Sequence, residues 1–463
     1  MSDVLSSKDV NFDAHADIVI IGAGACGLTA ALAASDRGAE VLILERDAVP
    51  SGSTALSSGF IPAAGTRYQA ALGIDDNREL FAKDIQAKAK GQALQNLTDL
   101  VAGASGPALE WLADAHGLEW VVLDEFLYPG HSRHRMHATP ERTGEGLLSR
   151  LVAAVERTGI PIAVNSHVTG LYVNEHAIKG VQVNRPGGLS ETISCKALVL
   201  ACNGYGGNRE LIAKHIPEMS DALYFGHAGN QGDAVLWGEK LGARSEHLSA
   251  YQGHGSVAHP HAVLITWALI MEGAVQVNAD GERFSNEHGG YSEQAVHVLA
   301  QPERIAWCIY DERLHELGLG FEDYRTADEM GAILSAPDAE SLAKKTGLPG
   351  PALSKTLQEV HQLAIDDSRD VFGRRFSKTQ ALEAPFYAVK VTGAVFHTQG
   401  GLVIDSSARV VDAAGHPFSN LFAAGGAACG VSGPDVSGYL SGNGLLTAIA
   451  YGKIAGKNAP QLV

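Results

Sequence analysis

Cysteine is scarce: five among 463 residues, at positions 26, 195, 202, 308 and 429. They are dispersed and odd in number, and they form no C-x-x-C or C-x-x-C-H. Iron–sulfur clusters, c-type haem and zinc are thereby left without ligand sets. A reduced cytosol follows as the expected compartment, and any redox cofactor must be organic. Cations are also few. The chain has 35 Lys and Arg against 52 Asp and Glu, a net charge of −17, without the clustered basic residues of a nucleic-acid footprint. No apolar run reaches about 18 residues, so no membrane span is expected. The first stretch carries Asp3, Lys8, Asp9 and Asp13 with no basic-then-apolar pattern, so it reads as a polar lead-in rather than a secretory leader. Internal repeats and low-complexity tracts are missing too.

What is present in quantity is apolar residue and glycine, 45% and 53 residues respectively, which fits an α/β protein rich in tight turns. The length exceeds one ordinary core and suggests two domains, one interrupting the other. The most informative stretch is Ile18-Val-Ile-Ile-Gly-Ala-Gly-Ala-Cys-Gly-Leu-Thr, followed by Val41-Leu-Ile-Leu-Glu45. It reads as strand, glycine turn, helix and second strand ending in a carboxylate. Gly22 permits the tight turn, Gly24 lets backbone approach a pyrophosphate, and Gly27 lets the helix pack close to the sheet. The helix N-terminus offers N–H groups to phosphates. Glu45 is placed to accept hydrogen bonds from an adenosine ribose. The pattern predicts a bound dinucleotide.

Ser51-Gly-Ser-Thr-Ala-Leu-Ser-Ser-Gly59 is hydroxyl-rich; it suits phosphates or a ribityl chain, and equally a solvated turn. Helical periodicity covers 80–90, 106–116 and 145–157, with β-rich runs at 161–173 and 179–183. Ala197-Leu-Val-Leu-Ala-Cys-Asn-Gly204 reads as a buried parallel strand whose end meets a ligand. Beyond it the texture changes, with more histidine and aromatics, an amphipathic helix at 353–365 and a polar stretch holding Arg369, Arg374 and Arg375. The expected division is a dinucleotide-binding domain over 1–245 and 393–463, interrupted by an α+β cap over 246–392. Near the end, Gly438-Tyr-Leu-Ser-Gly-Asn-Gly444 opens a helix at 445–455. That motif either favours negative charge on a bound ring or is a plain turn with a cap. His131, His134 and His137 share a segment with Arg133 and Arg135 and read as a solvated loop rather than a metal site.

Together these segments resemble the flavoprotein family of fumarate reductases, succinate dehydrogenases and 3-ketosteroid dehydrogenases. The matching blocks are the N-terminal fingerprint, Asn230-Gln-Gly-Asp233, Val277-Asn-Ala-Asp-Gly-Glu-Arg-Phe-Ser-Asn-Glu287, His397-Thr-Gln-Gly-Gly401 and Gly442-Asn-Gly444. The resemblance implies a Rossmann-like, two-dinucleotide-type FAD domain with a cap over the isoalloxazine. It implies hydride transfer between flavin N5 and a carbon next to an activated carbon. FAD is expected along Gly22, Gly24, Ala25, Cys26, Gly27, Glu45 and Arg46, and along Ser53, Thr54, Ser58 and Gly59. Ala201, Asn203, Gly204 and Asp233 follow, then Gly400, Gly425, Gly442, Asn443 and Leu445. Membrane-bound members carry a flavin-linking histidine where this chain has Ser53, so FAD is expected to be noncovalent.

Two departures stand out. Fumarate reductases have an arginine general acid shortly after the Arg-Phe-x-Asn-Glu block, where this chain has Tyr291. They have a carboxylate-gripping arginine before the final Gly-Gly-Asn, where this chain has Tyr439. A neutral phenol supplies no fixed positive charge. The 3-ketosteroid dehydrogenases place tyrosines at both sites, and the delta-4 type is most similar through its Tyr-x-Ser, here Tyr439-Leu440-Ser441. The resemblance implies that Tyr439 polarises a ketone while Tyr291 with Ser441 takes an α-proton, or the reverse. His254 and His397 match histidines that hold substrate carboxylate in fumarate reductases, which keeps a keto acid open. A backbone-bonded residue beside the flavin is the equal reading for His397. Arg283 and Asn286 are expected to brace the cap turn. The expected activity is introduction of a C=C bond α,β to a ketone, steroid or smaller. The alternatives are the reverse reaction on an activated enoate or enone, and a nonenzymatic flavin sensor. A small ketone and an unidentified electron acceptor are the expected partners.

Overall fold

A computed structural model describes residues 3–125 and 127–462. The chain divides into two compact units, Met1–Pro217 with Gly226–Tyr251 and His397–Val463, and Glu218–Phe225 with Gln252–Phe396.

The first unit is built on a nine-stranded sheet. Its parallel part runs Pro417–Ala423, Leu189–Leu200, Ala14–Ile21, Val41–Leu44 and Ile162–Ala163. Residues 18–21 are buried on both faces, as an uninterrupted Ile-Val-Ile-Ile run requires of a strand covered by helices. The long strand Leu189–Leu200 serves two neighbourhoods. Its start pairs antiparallel with Ala177–Arg185, while its end lies beside the fingerprint strand.

The helices Ala25–Ser35 and Asn443–Asn458 pack together through glycine. A Cβ on Gly452 would sit 2.6 Å from the Cys26 carbonyl oxygen, and one on Gly456 would collide with the Ala30 carbonyl. The backbones approach this closely because neither position carries a side chain. Helices expected at 80–90 and 106–116 are Arg78–Lys88 and Gln95–His116; the second starts eleven residues early because Gly106 and Pro107 lie inside it. Within the expected hydroxyl-rich loop the structure places one helical turn, Gly52–Ala55.

The second unit is organised around Phe386–Thr398 in a seven-stranded sheet with Val263–Leu264, Tyr251–Ala258, Ile305–Asp311 and Val275–Val277. Residues 218–225 belong to it because Leu223–Tyr224 pairs with Ala394 and Val395. The stretch read as polar holds a buried charge cluster instead. Arg283 binds Glu287 and Asp370, and the fully buried Arg374 donates to Glu287 at 2.9 Å. These guanidiniums outweigh desolvation and hold the Glu287 carboxyl down at about 2.

Candidate active site

In the first unit an open cleft runs along the ends of the parallel strands. Gly22, at φ +107°, turns the chain where a Cβ would lie 2.6 Å from the Ala201 carbonyl. The helix starting at Ala25 has Gly24 as its cap residue; its Ala25 amide donates to Thr54 Oγ1 at 3.0 Å, and the positive end of the helix lines the cleft. Glu45 lines the same cleft and accepts from the Ala23 and Asp47 amides at 2.8 and 3.0 Å. Beside it the Arg46 guanidinium donates to the Gly229 carbonyl at 2.7 Å, and His227 pairs with Asp47 at 2.9 Å. Ser53 accepts from both Asn203 and Asn230 at 2.9 Å, which leaves its own hydrogen to donate.

Of the residues expected to hold a cofactor, Gly22, Gly24, Ala25, Cys26, Glu45, Arg46, Ser53, Thr54, Ala201, Asn203, Asp233, Gly425 and Leu445 line this cleft. Gly27, Gly59, Gly204 and Gly400 instead meet neighbouring protein, respectively Gly22, Thr143, Thr398 and His247, so a side chain is excluded by packing. Ser58 is exposed and lies off the cleft, while its neighbour Ser57 lines the wall and holds the Gly59 amide at 3.1 Å. Gly442 and Asn443 start the last helix, of which Gly444 and Leu445 reach the cleft. Burial pushes the Cys26 thiol up strongly and the Cys202 thiol to about 12, so neither is a thiolate at neutral pH. A glycine-lined floor, a helix N-terminus and the Glu45 carboxylate fit a dinucleotide.

His397 stands where the cleft reaches the last helix; a Cβ on Gly444 would lie 3.0 Å from its Nε2. Burial draws its pKa down to about 4, so the ring is neutral. The buried Tyr439 ring meets it edge-on at 5.6 Å. Ser441 is buried two residues on, and its carbonyl accepts from His131 Nε2 at 3.0 Å. This corrects the reading of 131–137 as a solvated loop. His131, Arg135 and His137 are buried, because Asp76 and Asp84 neutralise Arg135 and Thr66 bonds His137 at 2.8 Å. His131 is thus a support of the Tyr439–Ser441 turn that sequence reasoning missed.

In the second unit His254 is sandwiched. Tyr291 stacks on it at 5.1 Å and Phe396 at 5.3 Å, with Trp267 edge-on at 5.5 Å. Ser292, next to Tyr291, holds both the amide and the carbonyl of Gly253 at 3.1 Å, fixing helix start to strand. His254 Nδ1 accepts from the Ser256 amide at 3.2 Å, and burial lowers its pKa to about 3. It is therefore a neutral ring with its hydrogen on Nε2. Arg283 and Asn286 brace the preceding turn as expected, Asn286 by capping His288 at 3.0 Å. Trp267 and Phe396 carried no signal in the sequence, since a lone aromatic says nothing of its neighbours.

A profile of the FAD binding domain matches residues 17–445. Over 447 residues the chain is 32% identical to the probable fumarate reductase Ifc3 of Shewanella frigidimarina, covering 96% of this chain and 74% of that protein. An open-conformation flavocytochrome c3 fumarate reductase superposes with TM-score 0.83 at 30% identity, over 98% of this chain and 79% of that one. The 3-ketosteroid-delta4-(5alpha)-dehydrogenase of Rhodococcus jostii RHA1 gives 0.79 at 26% identity, over 99% of each. No helix among the described residues is long and apolar enough to cross a membrane.

Proposed function

The chain belongs to the FAD binding domain family and is a flavin-dependent oxidoreductase acting on CH–CH groups; from that premise we propose that it introduces a C=C bond α,β to an uncharged ketone. The observation that carries this reading is the lack of formal charge on the candidate catalytic side chains. His397 and Tyr439 in one unit, and His254 and Tyr291 in the other, are neutral groups, with both imidazoles held far below their ordinary pKa by burial. Facing these four side chains, a C4 dicarboxylate would lose hydration at two anionic ends and meet no guanidinium among them. A ketone needs only hydrogen-bond donors.

FAD supplies the two-electron acceptor. Tyr439 donates its phenol hydrogen to the ketone oxygen and stabilises the negative charge that develops there. Tyr291 and Ser441 serve removal of the α-proton. FAD is held noncovalently, since Ser53 has no ring nitrogen to form a flavin bond. Acid precipitation of the yellow protein is expected to leave all flavin in the supernatant, and flavin retained in the pellet would contradict this.

A second reading, reduction of an activated enoate or enone, is favoured by the 32% identity to a probable fumarate reductase. A dye-linked assay with saturated ketones of one to four rings, set against fumarate reduction by reduced flavin, separates the two.

A further inference from the structure

The catalytic reading leaves open what His397 does, and a buried chain of hydrogen bonds behind it answers that. Asn443 Nδ2 donates to Ser432 Oγ at 3.0 Å. Ser432, its lone pair so engaged, donates its one hydrogen to Gln399 Oε1 at 2.9 Å. With its oxygen committed, Gln399 turns its amide nitrogen to His397 Nδ1 at 3.0 Å, nearer than the competing Thr398 carbonyl, which lies 3.4 Å from the same nitrogen. All three supporting side chains are at least 95% buried, Gln399 at 5% exposure, Ser432 at 2% and Asn443 at 0%. The Gln399 backbone is itself fixed, its amide on the Ala250 carbonyl and its carbonyl under the Gly430 amide, both at 2.8 Å.

We propose that Gln399, with Ser432 and Asn443, is a positioning residue that locks His397 in the Nε2–H tautomer. A neutral imidazole carries one hydrogen, and an Nδ1 that accepts from an amide must leave it on Nε2. His397 then meets the cleft as a hydrogen-bond donor and is no base. It binds a substrate carbonyl oxygen, while proton removal stays with the hydroxyl groups. The N-terminus of the helix Asn443–Asn458, against which the Nε2 edge lies, disfavours a second proton on the ring. Tautomer control of this kind is worth a large rate factor where the ring takes part in chemistry. The substrate-facing role rests on the function proposed above; the tautomer does not.

The test is nitrogen NMR of the FAD-loaded enzyme labelled in histidine, with His397→Gln identifying the signal by its loss. The expected result is a His397 ring with the hydrogen on Nε2 throughout pH 6–8. Gln399→Glu places an acceptor at Nδ1 and is expected to move that hydrogen there; Gln399→Met, which only removes the amide, is expected to give a mixed population. A wild-type ring with its hydrogen on Nδ1, or a tautomer indifferent to both substitutions, overturns the proposal. Kinetics on a ketone substrate address the role. His397→Gln, whose amide nitrogen mimics Nε2–H, is expected to keep kcat within about 10-fold, while Gln399→Glu loses about 100-fold. Equal losses would overturn the donor role while leaving the spectroscopic result to stand or fall alone. Failure of every ketone with the expected tautomer intact would count against the proposed function instead.

Discussion

Tyr439 and Tyr291 each offer one hydroxyl where an arginine would offer a planar, permanently charged fork, and the proposed preference for an uncharged substrate rests on that difference. Removing the hydroxyls without disturbing the rings isolates it. Tyr439→Phe and Tyr291→Phe are each expected to lower kcat on a ketone by about 100-fold or more, with the flavin absorption spectrum unchanged. Steady-state kinetics on the yellow protein checks this, and full turnover by both variants would remove the tyrosines from the chemistry. The two tyrosines drew notice in the sequence because they sit inside short motifs, and their catalytic roles remain the proposal that these variants test. Their supports were not. His131 reaches the Ser441 carbonyl across 310 residues, and Gln399 meets Ser432 across 33. No local pattern marks either pairing, since a buried hydrogen bond leaves only one polar residue in each of two distant apolar stretches.

Among the elements, the dinucleotide fingerprint was readable because its physics is local: strand, positive-φ glycine and helix lie within a few residues. The close packing of Ala25–Ser35 on Asn443–Asn458 depends on Gly452 and Gly456, which as isolated helix glycines suggest only lowered propensity. Gly456→Ala is expected to destabilise the protein by about 1–3 kcal/mol and to loosen FAD, because the new methyl meets the Ala30 backbone rather than a flexible side chain. Denaturant titration with flavin release monitored alongside tests both, and an unchanged midpoint would show that the helices separate at little cost. Arg374 makes the same point. A run of arginines reads as solvated, yet burial against Glu287, and against the Ile270 and Ala274 carbonyls, makes this one part of the core.

Across the described residues, burial lowers the pKa of eight histidines, five of them far enough to hold the ring neutral well below pH 6. His254 is lowered to about 3, and His131, His137, His288 and His397 to about 4. In the unfolded chain each titrates near its ordinary pKa of about 6.5. Between those values the unfolded state binds more protons, so the stability contributed is full above about pH 6.5 and is lost as pH falls toward 4. Chemical denaturation of the FAD-loaded protein is expected to show falling midpoints from pH 7 to pH 5. A flat profile would mean these rings protonate without unfolding. The same neutrality bears on function. The rings of His254 and His397 are uncharged at pH 7, and the proposed preference for an uncharged substrate rests in part on this. The most direct measurement is turnover by the purified yellow protein with an artificial acceptor, on saturated cyclic ketones and, in parallel, on fumarate with reduced flavin. The account predicts oxidation of at least one ketone, with neither turnover nor spectral change from fumarate. Efficient fumarate reduction with every ketone inert would contradict it.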